Sequence, residues 1–429
     1  MTEELPARKT TSRGMMAPGG IFAPFGFPAF RSIWSANLFS NMGSMIQSVA
    51  AAWLMTELTD SHLLIAMVQA SAVLPIMLFG VFAGAIADNF DRRRVMLVAQ
   101  SGMLIASALL AIVTYKEAVG PFSLIALTFI VGVGTALNAP AWQASVRAQV
   151  GPRDLPQAIS LNTIAFNLAR SVGPAFGGLL ISLWDISLAF ALNALSYTYL
   201  IIVLLRWRPQ VPPPSKGPMF ASVRAGIIFC INSQSLRKVL LRGAAVGFGF
   251  AAYRALLPSI VSDRIGGDEI GFGLLLAAFG IASIFFALFV GPLRRRLGSE
   301  GVIGVGTLAF VIAHAAMAID PGMNSALIAA LIAGAGWVLA LTTLNVAMQV
   351  RSPDAMLGQC LSIYQSVTFG GMAIGAWVWG AIADWSGISA SLILAAGWLV
   401  VSLIFLRFFA PMPGRDEGIL HSTRAPSDD

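Results

Sequence analysis

Apolar residues in this sequence run in blocks of roughly 20 or more, the length that an α-helix needs to cross the hydrocarbon layer of a bilayer. Short polar stretches rich in turn residues and charges separate the blocks and mark where each helix ends. The pattern predicts twelve spans, at 31–57, 63–87, 95–115, 122–146, 157–183, 187–206, 237–262, 270–292, 301–319, 324–348, 357–383 and 387–409.

The composition supports a membrane protein. Hydrophobic residues make up 57% of the chain and charged residues only 11%, against about 45–50% and about 25% in soluble domains. A soluble core of this size could not cover so much apolar surface. We therefore predict an all-α membrane protein with twelve transmembrane helices in two six-helix halves.

A proline-rich stretch separates the sixth and seventh predicted spans. Pro209 and residues 212–214, which are all proline, interrupt any helix and stiffen the chain. The predicted organisation is a tail, a first half, a linker, a second half and a second tail, at 1–30, 31–206, 207–236, 237–409 and 410–429.

Within the linker, apolar residues recur at helical spacing and indicate a short amphipathic helix lying on the membrane surface. They are Phe220, Val223, Ile227 and Ile231. The alternative is a frayed extension of the linker. The only two cysteines, Cys230 and Cys360, both fall near the cytoplasmic side of this topology, so no disulfide framework is expected.

The basic residues predict the orientation. With a cytoplasmic N-terminus, only Lys116 and Arg264 of the 27 Lys and Arg fall in external loops, and Arg170 and Arg254 lie within spans, away from their cytoplasmic ends. The others face the cytoplasm, as the positive-inside rule requires. Topology and anionic lipid headgroups thus account for the net charge of +7 without a nucleic-acid partner.

The two halves show weak internal repetition. Gln149-Val150 recurs as Gln349-Val350, and Leu161 recurs as Leu361, at the same place in each half. Parallel repeats of six spans are typical of transporters that rock around a site near the membrane midplane.

The loop after the second span carries the first functional motif. Residues 84–94 read GAIADNFDRRR. Gly84 permits a close helix approach, and Asp88 can accept charge-assisted hydrogen bonds from Arg92 and Arg93. Such a cluster can latch the two halves together; the alternative is that the arginines only fix the topology.

This stretch resembles the loop signature of the major facilitator superfamily, G-x-x-x-D-R-x-G-R-R, with Asn89 in place of an arginine and Asp91 in place of a glycine. Residues 291–298, GPLRRRLG, are a degenerate counterpart in the second half that has no aspartate. The resemblance therefore implies a latch that differs between the halves.

The fifth span carries a second motif, in which Pro174 bends the helix and glycines permit tight packing. Its members are Arg170, Gly173, Pro174, Gly177 and Gly178.

The run of residues 173–178 is similar to the antiporter signature G-P-x-x-G-G and favours export. Together with residues 136–144, ALNAPAWQA, it resembles the drug:proton antiporter branch that contains enterobactin exporters and macrolide efflux proteins. One departure is Thr128, which stands where that superfamily has an arginine linked to proton coupling.

Arg170 falls near the middle of the fifth span, where a charge is costly and suggests function. The alternative is a structural arginine at the interface of the halves. Arg254 lies toward the external end of the seventh span, where it either serves the site or reaches the headgroups.

Proton coupling requires a group that changes charge during transport. The candidates are Glu57 and Asp88, each near a helix end, and then His314 in the ninth span, because imidazole titrates near neutrality. Glu57 as an interfacial anchor and His314 as a bonded interior residue are the competing interpretations.

The resemblance implies that spans one, four, seven and ten line a central cavity. The polar and aromatic residues on these spans suit an amphipathic organic ligand. They include Asn37, Asn41, Gln47, Asn138, Trp142, Phe250, Tyr253, Trp337 and Asn345, to which Arg170 and Arg254 are added.

The sequence thus predicts a secondary active transporter of the bacterial inner membrane, with both termini cytoplasmic, that exports a small organic molecule in exchange for protons. A facilitator or importer is the alternative, and a polytopic membrane enzyme or receptor is a remote one. The chain contains no H-E-x-x-H, Walker A or G-x-S-x-G motif, and its three histidines are scattered. We therefore expect no enzymatic activity, cofactor, metal or obligate protein partner.

Overall fold

The computed structural model describes residues 20–208, 219–319, 322–353 and 356–412, and these residues are almost entirely helical. The helices are α1 (Pro28–Leu58), α2 (His62–Asn89), α3 (Arg92–Tyr115), α4 (Pro121–Ser145), α5 (Leu155–Leu183), α6 (Ile186–Arg206), α7 (Met219–Asn232), α8 (Gln234–Ser259), α9 (Glu269–Ala318), α10 (Met323–Arg351), α11 (Leu357–Ser386) and α12 (Ile388–Phe409). A π-helical turn at Ile260–Ile265 extends α8.

Helix α9 is two helices joined at Gly298, whose φ of 70° and ψ of 174° break the helical backbone. Only glycine adopts this conformation without strain. We call residues 269–297 α9a and residues 299–318 α9b.

Twelve membrane crossings follow. Ten helices of the described chain are long and apolar enough to cross a membrane, and α9 supplies two crossings. Helix α1, with 31 residues, is the remaining one. The predicted fold class is confirmed.

Each half has an even number of crossings, so both ends of the described chain lie at one face of the molecule. We call this the terminal face, and the other the opposite face. The predicted loop motif at residues 84–94 lies at the terminal face, and residues 60–62 lie at the opposite face.

In the N-terminal half, α1 packs on α5 and α6, while α4 packs on α2 and α3. A buried polar network joins α1, α3 and α6: Gln47 Oε1 accepts hydrogen bonds from Ser107 Oγ and Asn193 Nδ2, each at 2.7 Å. Because an unpaired amide is costly in an apolar interior, these bonds fix the rotation of α1.

In the C-terminal half, α8 packs on α11 and α12, and α9 packs on α10. Arg242 of α8 is 2% exposed and contacts Glu300 at the start of α9b with a 2.8 Å N–O distance. The same guanidinium donates to the carbonyls of Leu406 and Ala410. Arg242 therefore ties three helices together at the terminal face.

The halves meet along two helix pairs, α2 with α11 and α5 with α9a. Glycines allow the close approach: a Cβ at Gly273 would lie 2.6 Å from the Pro174 carbonyl oxygen, and one at Gly280 would lie 3.0 Å from the Arg170 carbonyl oxygen. Small residues at such crossings let backbones touch.

Helix α7 lies in the linker region. Val223, Gly226 and Cys230 are buried, whereas Ile227 and Ile231 are exposed. A Cβ at Gly226 would lie 2.9 Å from the Gln359 side-chain oxygen of α11. The helix thus rests on α11 by its small-residue side and leaves its isoleucines uncovered, as an interfacial helix does.

Candidate functional site

A cavity of about 280 Å³ lies between the two halves, near the middle of the helices. Its walls come from α1, α2 and α5 of the first half and from α8, α9a, α10 and α11 of the second. The polar lining residues are Ser48, Gln69, Arg170 and Arg254. The aromatic lining residues are Phe166, Phe250, Phe279, Trp337 and Phe369.

The opposite face is closed above this cavity. The rings of Trp53 and Phe272 stack across the two halves with centroids 6.1 Å apart, and Leu256 and Leu257 are fully buried. At the surface, Asp384 of α11 accepts a hydrogen bond from Ser61 at the start of α2 (2.7 Å). The halves are therefore in direct contact at this end.

The cavity opens toward the terminal face. Phe166, one turn from Arg170 on α5, lines the cavity and is 45% exposed. Thr163 lies on the same side of α5, about one turn nearer the terminal face, and is exposed. Gln365 lies one turn nearer the terminal face than Phe369 on α11 and is also exposed. The structure is thus open at one face and closed at the other.

Arg170 and Arg254 place two guanidinium groups in the cavity, one from each half. Cζ of Arg170 lies 5.6 Å from the ring centroids of both Phe279 and Trp337, within cation–π range. The two guanidinium groups carry like charges, which repel each other across the cavity. None of the described residues that line the cavity is acidic.

The glycine–proline motif of α5 packs against helices on both sides. A Cβ at Gly173 would lie 2.6 Å from the Met45 Cβ of α1, and one at Gly177 would lie 3.2 Å from the Ile46 Cα. Gly178 faces the Glu269 backbone of α9a across the halves. The motif thereby holds Arg170 between α1 and α9a.

The arginines of the loop motif at the terminal face donate hydrogen bonds to backbone carbonyls of the first half. Arg92 Nη1 donates to the Ala144 carbonyl at 3.2 Å, and Arg93 donates to the carbonyls of Leu204 and Leu205 at 2.7 and 2.8 Å. These contacts cap the ends of α4 and α6, as cations do at helix C-termini.

Of the other latch residues, Gly84 faces α11, since a Cβ there would lie 3.4 Å from Ser362 Oγ. Asp88 lies on α2, but its side chain is outside the described part of the structure. The role of these residues as a latch between the halves stays a prediction.

The remaining proton-coupling candidates do not line the cavity. Glu57 is exposed at the opposite face, where it interacts electrostatically with Glu269 and Asp185. His314 is fully buried, with Nδ1 2.7 Å from the Phe310 carbonyl oxygen and its ring beside Tyr253.

The structure brings four of the expected lining residues together in the cavity: Phe250, Trp337, Arg170 and Arg254. Asn41 lies one turn from the lining residue Met45 and is partly exposed. Asn345 lies two turns from Trp337 and accepts a hydrogen bond from Gln349 at 2.6 Å.

The other expected residues lie elsewhere in this conformation. Asn37 is buried within the first half, and Trp142 is partly buried against an apolar cluster of the same half. The Asn138 side-chain oxygen is buried without a hydrogen-bond partner among the described residues. Gln47 belongs to the polar network with Ser107. Tyr253 packs between the rings of Phe250, Phe279 and His314, behind the cavity wall.

Several lining residues were not predicted. The expected lining helices were spans one, four, seven and ten, whereas most of these residues come from α2, α5, α9a and α11. They are Met45, Ser48, Gln69, Phe166, Phe279, Phe369 and Met372. A signal for Gln69 was available, since it is an amide in the middle of an apolar span. The aromatic and methionine residues have no distinguishing local signal in so apolar a chain.

Comparison with known sequences gives a family match. Residues 19–427 match the family model described as "Transmembrane secretion effector". The Staphyloferrin A transporter of Staphylococcus aureus is 22% identical over 65% of this chain and 71% of that protein. Macrolide efflux protein A of Streptococcus pyogenes is 25% identical over 61% of this chain and 66% of that protein. The Enterobactin exporter EntS of Shigella boydii is 25% identical over 90% of this chain and 94% of that protein.

Solved structures show the same fold. A mutant form of the nucleoside transporter NupG superposes with a TM-score of 0.73 at 13% identity, covering 90% of this chain and 99% of that one. A bacterial homologue of the human lysosomal transporter Spinster, in an inward-facing and unoccupied conformation, gives 0.71 at 14% identity, covering 93% and 98%.

Proposed function

We propose a function that starts from the family: this chain belongs to the transmembrane secretion effector family, a branch of the major facilitator superfamily, and is a multi-pass membrane transporter of small molecules. We propose that it exports a small organic molecule, of the drug or siderophore type, in exchange for protons. The relatives named as exporters and efflux proteins support this direction.

The central cavity carries the proposal. It lies between two halves that touch at the opposite face and part toward the terminal face. A transporter that works by alternating access needs such a site, reached from one side at a time. Rocking of the halves about α2–α11 and α5–α9a would open the opposite face and close the terminal face.

The direction of transport depends on the orientation in the membrane. The distribution of lysine and arginine supports a cytoplasmic terminal face, so the cavity as observed would load from the cytoplasm. Release would then follow when the contacts of Trp53 with Phe272 and of Ser61 with Asp384 separate.

Proton coupling is the finer part of the proposal. Glu57, Asp88 and His314 are the groups proposed to carry the proton, and none of them is among the described residues that line the cavity. A facilitator is the second candidate function, favoured by one observation: no carboxylate or imidazole of the described residues lines the cavity. Such a protein would move its substrate down a gradient without protons.

Transport into everted membrane vesicles separates these functions. We expect ATP-independent, saturable accumulation of substrate that collapses when a protonophore is added. Accumulation that persists without any proton gradient would exclude proton antiport. If the substrate only equilibrates across the vesicle membrane and does not accumulate, the protein is a facilitator. Vesicles from cells lacking the protein provide the baseline.

A further inference from the structure

Resting on the proposed function, we infer that the substrate is an organic anion whose acidic group binds between Arg170 and Arg254 while its apolar part lies against the rings of Phe279 and Trp337. Four observations lead to this substrate class.

The first observation is the charge of the cavity. Arg170 and Arg254 both line it, and a guanidinium stays protonated at any physiological pH. Two like charges in a membrane-embedded cavity are costly unless a counter-charge is present.

The second observation is that the described part of the chain supplies no counter-charge there. Its cavity lining contains no aspartate or glutamate, and the buried salt bridge of Arg242 with Glu300 lies elsewhere, at the terminal face. By contrast, Arg242 is fully paired. The arginines of the cavity are therefore available to an anion that arrives from outside the chain.

The third observation is the aromatic wall beside the charge. Phe250 and Trp337 have ring centroids 4.5 Å apart, and Phe279 lies 6.3 Å from Trp337. Met45 and Met372 complete the wall with flexible thioethers. A cavity of about 280 Å³ is near the small end of ligand sites, which suits one or two rings with an acidic group.

The fourth observation is that each arginine comes from a different half, Arg170 on α5 and Arg254 on α8. An anion bound between them would attract both halves and relieve their mutual repulsion. Substrate binding would thus favour a more closed cavity, which links occupancy to the rocking motion.

A binding experiment with matched probes tests the substrate class. Purified protein in nanodiscs is titrated by calorimetry with 2-naphthoate, with its neutral amide 2-naphthamide and with the cation 2-(aminomethyl)naphthalene. We expect the acid to bind about tenfold or more tightly than the amide, because the acid adds charge-assisted hydrogen bonds. The amine should bind most weakly.

Variants assign the preference to the two arginines. In Arg170→Gln and Arg254→Gln the preference for the acid should disappear, while Arg170→Lys keeps part of it. Arg224→Gln, which removes an exposed charge from α7, should leave it unchanged. Thermal unfolding confirms that each variant is folded.

Three results would overturn the inference: equal or tighter binding of the amide or amine, a preference for the acid that survives in both glutamine variants, or no saturable binding of the acid by folded wild-type protein. The binding assay needs no proton gradient. If the acid binds as expected but vesicles show no proton-dependent export, the proposed function fails while the substrate class stands.

Discussion

The carboxylate of Asp384, at the end of α11, accepts a hydrogen bond from the backbone N–H of His62 in the first turn of α2. Its second oxygen accepts from Ser61 Oγ, the cap of the same helix. A carboxylate from one half thus caps a helix of the other half, where the helix dipole favours negative charge. We infer that this cap holds the opposite face closed.

Asp384→Asn should weaken that closure by about 0.3–1 kcal/mol, because it removes the charge from exposed bonds to a helix N-terminus. Spin labels at Ala118→Cys and Asn324→Cys, both exposed at the opposite face in different halves, report the separation. We expect the distance distribution to shift toward longer values. Asp268→Asn is the matched control, since Asp268 caps α9a within its own half; an identical shift in both variants would contradict the role of Asp384.

Gly178→Ala should force α5 and α9a apart, because the added Cβ would meet the Glu269 backbone. Transport should fall strongly while insertion into the membrane stays normal. Gly102→Ala on α3 adds the same methyl group where nothing lies within 4 Å and should transport like the wild type. Equal activity of the two variants would show that the crossing at Gly178 tolerates a side chain.

Arg242→Ala should destabilise the second half by about 1–3 kcal/mol, because it removes the buried donor to the partly exposed Glu300 carboxylate and to the carbonyls of Leu406 and Ala410. Thermal unfolding in detergent should show an earlier transition. Arg407→Ala, which removes an exposed arginine from α12, should unfold like the wild type. A wild-type transition for Arg242→Ala would mean that the pair adds nothing to stability.

The Cys230 thiol should resist labelling in the native protein. Burial, and then the neighbouring Cys360 with its Sγ at 3.7 Å, raise the pKa of Cys230 to about 12. A raised pKa lowers the thiolate fraction at a mildly alkaline pH, and the thiolate is the reactive form. A maleimide should therefore react slowly with native Cys360→Ser protein and rapidly after denaturation. Fast native labelling would show that α7 leaves α11.

Much of the fold is predictable because the bilayer imposes helix length on the sequence. The apolar blocks locate the twelve crossings, including α9b, whose separation from α9a depends on Gly298. Arg170 and Arg254 were also predictable as cavity residues, since charges inside apolar blocks are rare and usually functional.

The rotation of each helix about its axis was not predictable. Gln47 and Ser48 are adjacent on α1, yet Gln47 bonds to Ser107 in the interior while Ser48 lines the cavity. Helix α1 is rich in small and polar residues on all sides, so local pattern does not say which side meets the second half. The pairing of Arg242 with Glu300 was missed for a similar reason, because it depends on the packing of three helices.

Export through the central cavity is tested by comparing the metabolites that cells release into the medium. Three strains are compared: a deletion strain, the same strain with the wild-type gene, and the same strain with Arg170→Ala at matched membrane levels. We expect at least one small organic molecule to be lost from the medium on deletion, to return with the wild type and to stay absent with Arg170→Ala. Identical media from all three strains, or full recovery by Arg170→Ala, would contradict export through this cavity.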